Sequence, residues 1–170
     1  SIGASIVGGV CNNSGGSLVH RGPAYTQYAL YGRVNSEGEL ELINELGLNL
    51  GSSPEEILNN LENKNYSSSD FEASDKLGSD DKYAEIVRGV EEDTPSRFNA
   101  DKRLLYGASG SAGKVAVFAV RLDTYPAPKK SKVFYIGSNN ADVFWKIRRD
   151  ILKNFKALPR LGDYLHRDCY

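Results

Sequence analysis

Ser1-Ile2-Gly3-Ala4-Ser5-Ile6-Val7-Gly8-Gly9-Val10-Cys11-Asn12-Asn13-Ser14-Gly15-Gly16, followed closely by His20-Arg21-Gly22-Pro23, is the stretch on which the reading of the fold turns. Its first sixteen residues hold five glycines, three serines and two asparagines. Glycine admits positive φ angles and lets bare backbone N–H groups approach a ligand closely. Ile6, Val7 and Val10 are the apolar residues expected to tether such a loop to a packed interior. The composition is that of a loop that cradles a cofactor, and not that of a linker.

Working outward, residues 28–34 read as a strand rich in aromatic and β-favouring side chains. Asn35-Ser36-Glu37-Gly38 is a turn signal, and Leu40 and Leu42 alternate with Glu39 and Glu41 on the returning strand, which predicts one buried and one solvated face. Ser53-Pro54-Glu55-Glu56 predicts a helix start, with Ser53 as N-cap, Pro54 in the first turn and Glu56 placed for a capping box. Ile57, Leu58 and Leu61 would form its inward face. Residues 63–82 turn polar and predict an exposed, mobile excursion, and residues 83–92 a short helix ended by Pro95.

Tyr106-Gly107-Ala108-Ser109-Gly110-Ser111-Ala112-Gly113 is a second small-residue loop. The apolar run 115–120 follows it and reads as a buried central strand. Thr124-Tyr125-Pro126-Ala127-Pro128-Lys129-Lys130 marks a boundary between structural units. Beyond it, residues 133–136 read as a strand, and Asn140 or Asp142 opens a helix expected to reach about residue 158, with Phe144, Ile147, Ile151 and Phe155 at helical spacing. That helix is basic through Lys146, Arg148, Arg149, Lys153 and Lys156, which suits either an ordinary surface helix or one lying on an anionic membrane.

Twenty-one basic residues against twenty-two acidic ones leave a formal net charge of −1, with no electrostatic footprint for nucleic acid. No apolar run approaches the roughly 20 residues of a spanning helix. The chain has no Met, and it opens inside a glycine motif, so it is expected to be an internal piece of a longer polypeptide. Cys11 and Cys169 permit a disulfide without suggesting one, and Cys11 reads as a space-filling residue. His166 and Cys169 lie three apart with no further ligand pair, which argues against a metal site. His20 reads as a structural histidine or as a group orienting a ligand. Ser1 opens an N-terminal-nucleophile hydrolase reading, but a glycine-rich loop directly behind it fits that class poorly.

The run Gly8-Gly9-Val10-Cys11-Asn12-Asn13-Ser14-Gly15-Gly16 with Arg21-Gly22-Pro23 resembles the second cofactor loop of the vanillyl-alcohol-oxidase-type FAD flavoproteins. Asp93-Thr94-Pro95-Ser96-Arg97-Phe98-Asn99-Ala100-Asp101, Ala116-Val117-Phe118-Ala119-Val120-Arg121-Leu122-Asp123, Phe134-Tyr135-Ile136-Gly137 and His166-Arg167-Asp168 resemble, within that group, the bacterial quinone-dependent D-lactate dehydrogenases. The resemblance implies an α+β chain: residues 1–123 as the second half of a VAO/PCMH-type FAD-binding domain, and residues 124–170 as the start of an α+β substrate (cap) domain. It implies FAD contacts at Ser5, Gly15 and Val117, and leaves the catalytic residues unknown. It also implies oxidation of D-lactate with electrons passed to a quinone. The expected setting is peripheral, on the cytoplasmic side of the bacterial inner membrane, through regions outside this chain. Ser109-Gly110 stands where many relatives carry Glu-Gly, so a carboxylate role there is in doubt. Arg121 and Arg167 are the basic residues to examine first as a substrate-carboxylate clamp. A non-catalytic flavin- or nucleotide-binding module, and a flavoenzyme for another D-2-hydroxy acid, stay open as alternatives.

Overall fold

The computed structural model describes residues 3–15, 18–93 and 101–169. The echo at residues 94–100 lies outside them. The opening segment is a short helix, α1 (Ile6–Cys11), where a loop was expected. Gly8 and Gly9 disfavour helix, but the Ser5 hydroxyl accepts from the Gly8 N–H at 3.0 Å and caps the first turn. Val10 is fully buried and anchors the helix, whereas Ile6 is 69% exposed, so only part of the expected apolar tether forms.

Strands β1 (Ala29–Val34), β2 (Leu40–Asn44) and β3 (Ala116–Val120) form an antiparallel sheet in the order β2-β1-β3. The hairpin expected from Asn35-Ser36-Glu37-Gly38 is present. The Asn35 carboxamide oxygen accepts from the N–H groups of Glu37 and Glu39, and Gly38 takes the positive φ of +85° that the turn requires. The central strand is β1, buried on both faces at its start, and not the apolar run of β3. That run lies at an edge, and a bulge opposite Leu30 and Tyr31 turns Phe118 outward to 52% exposure.

The two faces of β1 organise two cores. Leu30 packs with Leu46, Leu48, Leu50 and Ile57 beneath α2 (Pro54–Glu62). Ala29 and Tyr31 pack with Val10 and Ala108, joined by Val117 and Val120. The start of α2 is as expected: Ser53 Oγ accepts from Glu56 N–H at 3.2 Å, although the Glu56 carboxylate reaches back to Ser52 N–H instead of closing the box on Ser53. Leu42 packs on the first core, while Leu40 is 82% exposed at the hairpin end.

The polar excursion 63–82 is exposed over most of its length yet strapped to the body. Glu72 N–H donates to the Gly47 carbonyl, Asn49 N–H to that of Asp70 and Gln27 N–H to that of Leu77. The next helix, α3 (Tyr83–Ile86), is shorter than expected. No regular element separates β3 from α4 (Ala141–Asn154), which Asn140 caps through its side chain. Helix α4 ends four residues before the expected limit. The strand expected over 133–136 is absent: Val133, Phe134 and Tyr135 are 74–86% exposed and join no ladder. β-favouring side chains make a strand only where backbone groups find a partner.

Candidate functional site: the junction of two glycine-rich segments

The two small-residue segments meet. The Val10 carbonyl at the end of α1 accepts from Gly110 N–H at 3.1 Å, and the Cys11 carbonyl from Ala112 N–H at 2.9 Å. The second loop thereby gives the Cys11 carbonyl its partner and adds a second donor to the Val10 carbonyl, which also accepts from Asn13 N–H at 3.0 Å. Asn13, fully buried with φ +49°, donates from its carboxamide to the Leu104 carbonyl. Asparagine is among the few residues that adopt this left-handed conformation readily.

Ser109 locks the second loop to the chain just beyond the first. Its hydroxyl donates to the Thr26 carbonyl at 2.7 Å and accepts from the Thr26 N–H at 3.0 Å, and both residues are buried. The serine standing where relatives were expected to carry glutamate is therefore a structural bridge in this chain. Gly107 is held at φ +49° against Glu45 and the Tyr31 ring. Burial, reinforced by Glu45, pushes the Tyr31 phenol above its ordinary range. Burial also raises the Tyr25 phenol, with Tyr106, Asp80 and Asp81 adding to the effect.

Ser5 and Gly15 lie on the exposed rim of the first segment. Ser5 caps α1, and Gly15 bridges Pro23. Val117 is half-buried and packs against the second core, of which Val10 is a member. The junction thus joins α1 to the loop that leads into β3, while Ser5 and Gly15 are exposed. This set suits a flavin's polar groups: small, donor-bearing and accessible. Val117 could contribute only main-chain atoms, since its side chain belongs to the core.

Arg121 does not fit the part of a substrate clamp. Its guanidinium donates to the carbonyls of Leu46 and Gly47 and lies over the Tyr28 ring, 4.3 Å from the centroid. Arg167 is 89% exposed and pairs with Asp168. The His20 ring is hydrogen-bonded to the Leu158 carbonyl at 3.2 Å, the structural role weighed above. Cys11 and Cys169 are free thiols, the first half-buried and the second exposed. Among the described residues, no group of three His, Cys, Asp or Glu side chains could hold a metal ion.

Sequence reasoning did not single out Asn13, Thr26 or Arg88. Arg88 donates to the carbonyls of Leu152, Phe155 and Lys156 at the end of α4. Only the Asn-Asn pair carried a local signal, through its tolerance of positive φ.

Comparison with known proteins accounts for almost every residue. The chain is 56% identical over 169 residues to a quinone-dependent D-lactate dehydrogenase of Haemophilus influenzae, 53% identical over 169 residues to one of Escherichia coli, and 44% identical over 170 residues to one of Corynebacterium glutamicum. The chain belongs to the quinone-dependent D-lactate dehydrogenase family. It covers 30% of the length of each of these three relatives. A family model described as "D-lactate dehydrogenase, membrane binding" matches residues 133–170 of this D-lactate dehydrogenase family member. The match falls inside the chain, whereas membrane attachment was expected from regions outside it. No helix among the described residues is long and apolar enough to cross a membrane.

Proposed function

We propose that this chain is part of a flavin-dependent dehydrogenase that oxidises D-lactate to pyruvate and passes the electrons to a membrane quinone. The observation that carries the proposal is 44–56% identity, over 99% or more of the chain, to three proteins named for that reaction. FAD, when bound, supplies the hydride acceptor. Ser5 and Gly15 would hold it through a hydroxyl and bare backbone, and Val117 through its main chain. The junction of the two glycine-rich segments would keep those groups in register. The substrate base is assigned to other parts of the polypeptide, since the chain spans 30% of the length of its relatives. In this proposal residues 1–123 are the second half of a VAO/PCMH-type domain, and residues 124–170 open the α+β cap domain.

The same proposal places the enzyme peripherally on the cytoplasmic face of the bacterial inner membrane. Residues 133–170 contribute the contact, on the strength of the family match and of their exposed apolar side chains. Phe134, Tyr135, Trp145, Tyr164 and Leu165 are all more than half exposed, with Lys130 and Lys132 just before them in the sequence and Lys146 among them. Aromatic and basic side chains together suit an interfacial surface.

The test is anaerobic mixing of the full-length, flavin-loaded polypeptide with D-lactate, L-lactate, D-2-hydroxybutyrate or NADH. Bleaching of the oxidised flavin band by D-lactate alone, reversed by a soluble quinone, is the expected result. Flavin that no hydroxy acid reduces would sink the substrate assignment, and failure to bind flavin would sink the cofactor site.

A further inference from the structure

The pairing of β3 with β1 has an irregularity whose register must be held by something outside the ladder. Ala119 stands opposite Leu30 and Val117 opposite Tyr31, so Phe118 has no partner across the pair. A slip of one residue at such a bulge sends side chains to the opposite face and shifts the main chain of Val117 along β1. Alanine, valine and phenylalanine fill every position of Ala116–Val120, so side-chain polarity does little to forbid the slip.

The register is pinned just beyond the strand, at Arg121. Its N–H donates to the Tyr28 carbonyl at 3.1 Å, its carbonyl accepts from the Thr26 hydroxyl at 2.6 Å, and its guanidinium donates to the carbonyls of Leu46 and Gly47. Thr26 is the centre of this knot. It is fully buried, its hydroxyl also accepts from the Tyr28 N–H at 3.0 Å, and its own N–H and carbonyl are both held by the Ser109 hydroxyl. Two residues earlier, Ala24 N–H donates to the Ser14 carbonyl at 2.8 Å, beside the bridge between Gly15 and Pro23. One short segment therefore ties the first glycine-rich run, the second and the end of β3 to one another. Of its bonds, the one from the Thr26 hydroxyl to Arg121 is the link to β3.

We propose that Thr26 is a positioning residue for the flavin: its hydroxyl holds the register of β3, and so the placement of the Val117 main chain relative to that of Gly15. The role rests on the cofactor reading above, in which both of those residues contact FAD. Thr26 is buried away from solvent and acts only through them. Cofactor contacts of this kind are effective when the shell behind them is fixed.

The experiment titrates FAD into the deflavinated full-length polypeptide, as parent, Thr26→Val, Thr26→Ser and Arg88→Ala. Quenching of flavin fluorescence gives the dissociation constant, and visible circular dichroism of the bound flavin reports the surroundings of its ring. Valine keeps the shape of threonine and removes the hydroxyl, serine restores the hydroxyl, and Arg88, which makes none of these contacts, is the control for loss of stability alone. Thr26→Val is expected to bind FAD about tenfold more weakly and with an altered dichroism band, the size of effect that a small misplacement of contacts produces. Thr26→Ser should recover most of the affinity and the parent's band, and Arg88→Ala should keep both. A Thr26→Val protein that melts earlier yet binds FAD with the parent's affinity and band overturns the proposal and leaves Thr26 a purely structural residue. Equal weakening by Arg88→Ala, or no recovery in Thr26→Ser, overturns it as well. Thermal melting checks that Thr26→Val folds; if it does not, Arg121→Gln, which releases the Leu46 and Gly47 carbonyls at the same pin, takes its place under the same criteria. A parent that binds no FAD sinks the cofactor reading itself, a result distinct from a parent that binds and a Thr26→Val that binds equally.

Discussion

Arg88 Nη1 donates to the carbonyl oxygen of Leu152 at 2.7 Å, placing a guanidinium against the last turn of α4 from the segment that follows α3. The same fork reaches the carbonyls of Phe155 at 2.9 Å and Lys156 at 3.3 Å. Helix ends leave carbonyls without partners, and a cation there also complements the helix dipole. Leu152 is the buried residue of α4, so the fork secures the turn that carries the helix's deepest contact.

Arg88→Ala is therefore expected to destabilise the protein by about 1.5–3 kcal/mol, the range for hydrogen bonds to a charged group. Arg88→Lys should recover less than half of the loss, because an ammonium cannot span three carbonyls with a planar fork. Urea midpoints of the three proteins provide the measurement. Equal midpoints for Arg88→Ala and the parent would remove the capping role.

Glu91 tests the electrostatic part of the same junction. Hydrogen bonds from Lys153 and then from Arg149 hold its carboxyl below the usual carboxylate range. A depressed carboxyl contributes stability that is fully present above its unfolded pKa and lost as pH falls through the folded value. Glu91→Gln should lower the urea midpoint at neutral pH and low salt, and leave it unchanged once the parent's carboxyl is protonated. The group is exposed, so high salt should also erase the difference. An effect of equal size in acid and at neutral pH would show that something other than the charge is responsible.

Ser109 closes the pair of glycine-rich segments through Thr26. In Ser109→Ala the buried Thr26 N–H and carbonyl both lose their partner. The expected cost is about 1–3 kcal/mol, since an unsatisfied buried group retains its full desolvation penalty. A thermal melt alongside Ser111→Ala separates the two hydroxyls: Ser111 Oγ has no hydrogen-bond partner, so its removal should change the midpoint little.

The same residues explain how much of this molecule can be read in advance. Ser53-Pro54 and Asn35–Gly38 were legible because caps and turns depend on neighbours within four residues. Gly8-Gly9 read as a loop because propensity was the only local cue, and the packing of Val10 against Ala108, nearly a hundred residues away, overrode it. The apolar run Ala116–Val120 gave no sign that a bulge would expose Phe118 or that β1 would take the centre. Arg121 looked available in the sequence, and only the folded chain brings the Leu46 and Gly47 carbonyls to it. At the candidate site, composition located both glycine-rich segments. Their mutual hydrogen bonds depended on tertiary contacts that no local pattern encodes.

The exposed stretch 133–136 supplies the remaining prediction. Phe134 and Tyr135 are 79% and 86% exposed, a costly arrangement in water for side chains of this size unless another surface receives them. If residues 133–170 meet a membrane interface, Phe134→Ser with Tyr135→Ser should weaken sedimentation of the full-length protein with phosphatidylglycerol vesicles by about tenfold or more, each lost aromatic forfeiting area that would otherwise leave water. Neutral phosphatidylcholine vesicles should bind the parent less well, since Lys130, Lys132 and Lys146 gain little from an uncharged surface. Stability should stay within about 0.5 kcal/mol of the parent, because neither side chain contributes to either core. Unaltered vesicle binding together with a lowered melting midpoint would instead assign these aromatics to packing against another part of the polypeptide.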